Sequence, residues 1–127
     1  MRYVPTLGKI SPRDVFSAIK KLVKVAPNIQ AAGEFVSVRC DGEKVRGYVA
    51  LCYVEGGPEE VAVLKKTLEK VFSRFRTGNL TLWVVPKLTG VIEVAVEFEA
   101  EINELDKLAD TLERLHARIY DVLGGRK

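Results

Sequence analysis

With 127 residues, 47% of them hydrophobic and 29% charged, the chain has the make-up of one globular domain (1–127) with its own core and not of a disordered segment. Lys and Arg number 20 against 17 Asp and Glu, a net +3 that is too mild to mark a polyanion binder by itself. The start, Met1 to Asp14, has no apolar run, and no stretch approaches the ~20 apolar residues that cross a bilayer, so neither a signal peptide nor a membrane partner is expected and a cytoplasmic location is.

Met1 to Ile10 reads as a short leader. Ser11-Pro12-Arg13-Asp14 then starts a helix: serine caps free amides, proline suits the first turn, and an early acid suits the dipole. Val15, Phe16, Ile19, Leu22 and Val23 give it an apolar stripe, and Pro27-Asn28 ends it. Phe35 to Cys40 alternates as a strand, Asp41 to Lys44 turns, and Val45 to Val54 returns. Gly56-Gly57-Pro58 opens a second helix with Val61, Leu64, Leu68, Val71 and Phe75 on its buried stripe, and Thr77-Gly78-Asn79 closes it. A second hairpin, Leu80 to Phe98, turns at Lys87 to Gly90, and a last helix runs over 101–123.

The predicted fold is therefore α+β: a four-stranded antiparallel sheet of two hairpins in αββαββα order, with helices packed on it. The units 11–54 and 57–99 read as an internal duplication offset by 46, which sets Leu22 on Leu68, Val38 on Val84 and Val45 on Val91. Chance likeness between two amphipathic units gives the same architecture.

Pairing Cys40 with Val45 puts Val36, Val38, Val45, Val49 and Leu51 on one sheet face. Phe35, Ser37, Arg39, Arg46, Tyr48, Ala50 and Cys52 then share the other. The same turn length in the second hairpin adds Leu80, Leu82, Val84, Val91 and Ala95 to the first face. It adds Thr81, Trp83, Val85, Ile92, Val94, Val96 and Phe98 to the second. On this register both faces are apolar, and the second demands a cover: the last helix, a second subunit or a stacked ligand.

In the last helix Leu105, Leu108, Leu112, Leu115, Ile119 and Val122 repeat at heptad spacing. A stripe so narrow reads either as a coiled-coil-like seam between subunits, with Trp83 adding to the interface, or as a helix that closes its own domain. High charge and the single glutamine give the composition a thermophilic look.

Signals for chemistry are sparse. Cys40 and Cys52 lack metal-ligand spacing and read as buried thiols, and His116, the lone histidine, reads as structural. Glu93, Glu97, Glu99 and Glu101 recur at strand spacing and read as a solvated or edge stripe. Gly56-Gly57-Pro58 is no phosphate loop, and no nucleophile elbow is present. Neither catalysis, a cofactor nor a metal is expected.

Two function classes follow. The first is a non-enzymatic oligomeric interaction protein, a homodimer or larger, serving as adaptor or accessory subunit of a filament, scaffold or nucleoprotein machine, with a protein partner the sequence does not identify. The alternative is a single-stranded DNA- or RNA-binding protein. It would use basic helix faces (Lys20, Lys24, Lys66, Lys70, Arg74) and an aromatic and arginine-bearing sheet face (Arg39, Arg46, Tyr48).

Overall fold

A computed structural model describes residues 3–5, 12–24, 28, 30–32, 36–75, 79–87 and 90–123. The elements run β1 (Tyr3–Pro5), α1 (Pro12–Val23), β2 (Gln30–Ala32), β3 (Val36–Asp41), β4 (Lys44–Glu55) and α2 (Pro58–Phe72). A 3-10 turn, Ser73–Phe75, leads to β5 (Asn79–Pro86) and β6 (Val91–Glu101), and a second, Ile102–Glu104, to α3 (Leu105–Leu123). The predicted Ser11 cap, Pro27, Phe35, the Thr77-Gly78 helix end and the side chains of Val15, Leu22 and Val23 lie outside the described residues.

The four long strands form the expected antiparallel sheet, in the order β3-β4-β6-β5, so the two hairpins join through their second strands. Two short strands are additions to the sequence reading. β2 pairs outside β3, and β1 pairs β4 beyond the end of β3, with Tyr3 opposite Val54 and Pro5 opposite Cys52. β4 is twice the length of β3, and β1 takes up hydrogen-bonding edge that β3 is too short to reach.

The first hairpin keeps the expected register, Cys40 opposite Val45. Asp41 and Lys44 also pair, leaving a two-residue loop whose first position, Gly42, has φ 67°, a left-handed conformation that glycine adopts without strain. The second hairpin does not use the same turn. Pro86 pairs with Ile92 rather than Val91, the Lys87 amide donates to the Val91 carbonyl at 2.7 Å, and Gly90 has φ 76°. A three-residue loop ending in left-handed glycine replaces the shorter one.

That added residue overturns the expected face assignment, because one step of register sends every side chain to the other side. Ile92, Val94, Val96 and Phe98 join Leu80, Leu82 and Val84 on the helix-covered face. Glu93, Ala95, Glu97 and Glu99 go to the opposite face with Thr81, Trp83 and Val85. Val45 and Val91, equivalent under the 46-residue offset, fall on opposite faces. A bulge between Ala50 and Cys52 makes the second correction: Leu51 is the extra residue, and Cys52 and Val54 turn to the core face opposite Val94 and Ile92.

All three helices contribute their buried side chains to a single cluster with that face of the sheet. Phe16 of α1 meets Phe98 edge to face, with ring centroids 5.4 Å apart. Phe98 lies over Gly47, its partner on β4, so closely that a Cβ there would stand 2.5 Å from the ring. α2 begins with Pro58 at its first turn, and the Glu60 carboxylate turns back to accept the Gly57 amide at 3.3 Å.

The heptad stripe of α3 is covered by its own chain. Leu105, Leu112, Leu115 and Ile119 are fully buried, and Leu108 nearly so, with Val122 half-buried at the end. Ala109 and Thr111 widen the stripe beyond the heptad positions, the Thr111 hydroxyl donating to the Lys107 carbonyl within the helix. The flanking carboxylates bind α1: Arg13 donates to Asp110 and Glu113, and Lys20 pairs with Asp106 at 2.8 Å, which sets the two helices antiparallel.

Candidate interaction surface

No helix among the described residues covers the second face of the sheet. By register it presents Arg39 from β3, Arg46, Tyr48, Ala50 and Tyr53 from β4, Glu93, Ala95, Glu97 and Glu99 from β6, and Thr81, Trp83 and Val85 from β5. It is amphipathic, not apolar: the slip in the second hairpin took four large hydrophobic residues to the core and brought glutamates in their place.

Cross-strand polar pairs organise this face. Arg46 stands opposite Glu99 and binds it at 3.0 Å. The Trp83 indole N–H donates to Glu97 at 2.9 Å, and the Tyr48 hydroxyl to Glu93 at 2.6 Å, with Lys87 3.5 Å from the same carboxylate. Tyr48 is opposite Glu97, whereas Glu93 lies four positions back along β6, roughly 13 Å of strand. The tyrosine ring therefore crosses the Ala50–Ala95 pair to reach its acceptor. Only small side chains leave room for that crossing, and both alanines are shielded, at 1% and 0% exposure, although they lie outside the main core cluster.

The electrostatics follow from the packing. Burial, then the bond to Glu93 and its charge, raises the Tyr48 phenol well above its ordinary range, so it stays a proton donor. Glu93 is 7% exposed, and its acceptor is satisfied by Tyr48 and Lys87. Trp83 stays 44% exposed at the rim of the face. Across the face carboxylates outnumber cations: Asp41, Glu55, Glu93, Glu97, Glu99 and Glu101 against Arg39, Lys44, Arg46 and Lys87.

The residues expected at a functional site fall in three places. Leu105, Leu108, Leu112, Leu115 and Ile119 sit in the chain's own core, and Trp83 lies on the open face, apart from them. Arg39, Arg46 and Tyr48 share that face, where Arg46 and Tyr48 are engaged by glutamates. Lys66, Lys70 and Arg74 are exposed on and just after α2, across the sheet from Tyr48 and Trp83. Lys20 and Lys24 line a cleft of about 600 Å3 with Gly42, Glu43, Glu101, Ile102 and Asn103, where two glutamates balance them, and Lys20 is committed to Asp106. The basic helix faces and the aromatic sheet face thus do not converge.

Sequence reasoning missed the partnership of the glutamates with the aromatics. It read Glu93, Glu97, Glu99 and Glu101 as a solvated or edge stripe; Glu97 and Glu101 are exposed, but β6 is interior, between β4 and β5, and Glu93 is buried. A signal was available: the expected register sends Glu93 and Glu97 beneath the helices, and burying unpaired carboxylates there costs far more than shifting a turn by one residue.

Cys40 and Cys52 are buried thiols, and burial pushes Cys52 up to about 12, which keeps it from being a nucleophile at neutral pH. Burial lowers the His116 pKa. No metal-holding group of His, Cys, Asp and Glu, and no helix long and apolar enough to cross a membrane, occurs among the described residues. No family model matches the chain, and no curated protein or solved structure matches it.

Proposed function

We propose that this chain is a non-enzymatic, self-associating interaction protein, an adaptor or accessory subunit of a larger assembly, whose contact surface is the open side of its sheet. The observation that carries this reading is the face that no described helix covers, where Trp83 stands 44% exposed above an ordered set of Tyr48, Glu93, Glu97 and Arg46. An exposed tryptophan and arginine beside a half-buried tyrosine, in a pre-ordered setting, are the anchors protein interfaces favour. Their ordering within the free subunit lowers the entropy cost of binding.

The nucleic-acid alternative draws less support from the same face. A phosphate backbone would meet more carboxylates than cations there, while Lys66, Lys70 and Arg74 lie across the sheet. Light scattering during size exclusion at high micromolar concentration, paired with a shift assay on single-stranded DNA and RNA at low salt, separates the readings. The expected result is a dimer or larger and no shift. A strict monomer that shifts nucleic acid, and loses the shift when Lys66, Lys70 and Arg74 all become Glu, overturns it.

A further inference from the structure

The two lateral edges of the sheet are unlike. β2 is three residues long, whereas β5 is eight and carries no charged side chain from Asn79 to Pro86. Edge strands ordinarily deter pairing by being short, by carrying a charge or by carrying proline; β5 is neither short nor charged, and its one proline, Pro86, stands at its very end. Among the described residues no strand lies on its outer side.

Backbone bonding shows which groups that edge offers. Lys87 donates to the Val91 carbonyl, so the odd-numbered residues of β5 are those bonded to β6. The amide and carbonyl groups of Leu80, Leu82 and Val84 then point away from the sheet. Pro86 follows in the same phase with no N–H to give, and closes the row.

We infer that the outer edge of β5 pairs antiparallel with β5 of a second copy of this chain, joining two sheets into one across a two-fold axis at Leu82. Leu80, Leu82 and Val84 are symmetric about that point. Leu82 meets its counterpart in a mutually bonded pair, and Leu80 and Val84 exchange bonds with the other copy's Val84 and Leu80. The half-buried side chains of Leu80, Leu82 and Val84 meet on the helix side, and Thr81 lies opposite Trp83 on the open side. An uncharged strand meets itself without repulsion, and its outward row Leu80, Leu82 and Val84 pairs register for register with its own copy, so a second copy is the occupant proposed. This inference rests on the self-association proposed above and routes it through the sheet edge, which leaves the open face to other partners.

The test uses the full chain, with oligomeric state by light scattering and backbone protection by hydrogen exchange. Val84→Pro removes an outward N–H without touching the ladder to β6, and Leu82→Lys places like charges on the axis; circular dichroism checks that each variant is folded. The expected result is a wild-type dimer with protected Leu82 and Val84 amides, and at least a tenfold weaker dimer in each variant. A dimer that survives both folded variants, or exchanges freely at Leu82 and Val84, overturns the edge pairing and leaves the interaction reading standing. A wild-type chain that stays monomeric at high micromolar concentration overturns both.

Discussion

The Tyr48 hydroxyl donates to Glu93 at 2.6 Å across the Ala50–Ala95 pair, tying the two central strands together on the side of the sheet away from the helices. The bond gives that face a small core of its own. Phenol, carboxylate and the Lys87 ammonium are mutually satisfied, and the alanines beneath supply the space. An interaction surface built this way is ordered before any partner arrives.

Removing the hydroxyl tests that bond. Tyr48→Phe keeps the ring over the alanines and leaves Glu93 with only the longer contact to Lys87. Loss of a hydrogen bond to a largely buried charged group costs about 1.5–3 kcal/mol. Urea unfolding is expected to show that loss with an unchanged m-value. A double-mutant cycle with Glu93→Gln isolates the coupling, and additive effects would mean that the bond contributes nothing.

The same pair sets a pH dependence at the alkaline end. The Tyr48 phenol has a higher pKa folded than its unfolded value of 10.0, because burial and the Glu93 carboxylate disfavour the phenolate. The folded state then holds a proton that the unfolded state releases, so this contribution is fully present below pH 10 and declines as pH rises through and beyond that value. Unfolding free energies from pH 8 to 11 are expected to fall more steeply for the native chain than for Tyr48→Phe. Parallel curves would contradict the assignment.

Leu112 and Leu115 distinguish a core helix from a seam between subunits. Both are fully buried within one chain. Leu112→Ala is expected to cost about 2–5 kcal/mol by leaving a cavity. Changing both to Asp is expected to unfold the chain, read by circular dichroism, because two unpaired carboxylates would enter the core. A folded double-Asp variant that merely dissociates would place the stripe in an interface.

Gly47 is a packing requirement. A Cβ there would meet the Phe98 ring at 2.5 Å and the Ser37 carbonyl oxygen at 3.0 Å. Gly47→Ala is expected to destabilise by about 1–3 kcal/mol through overpacking, since Phe98 must move and is itself held against Phe16. Thermal unfolding measures the loss, and recovery in Gly47→Ala with Phe98→Leu would confirm the clash as its cause.

The sequence by itself determined the three helices, the two hairpins and their antiparallel α+β arrangement, because 3.6- and 2-residue periodicities and glycine turns are local signals. Half of the open face was legible too: Arg39, Arg46 and Tyr48 follow from a first hairpin whose register was read correctly. Tertiary structure alone decided what lies beside them. One residue more in the Gly90 loop and one extra at Leu51 exchanged the faces of β6 and of the end of β4, and β2 and β1 are too short to show a period. The stripe of α3 likewise has no address in sequence, since apolar residues at heptad spacing serve a subunit's own sheet or a neighbour equally well. Which of these it meets depends on how much of the sheet α1 and α2 leave bare, and that is a property of the assembled fold.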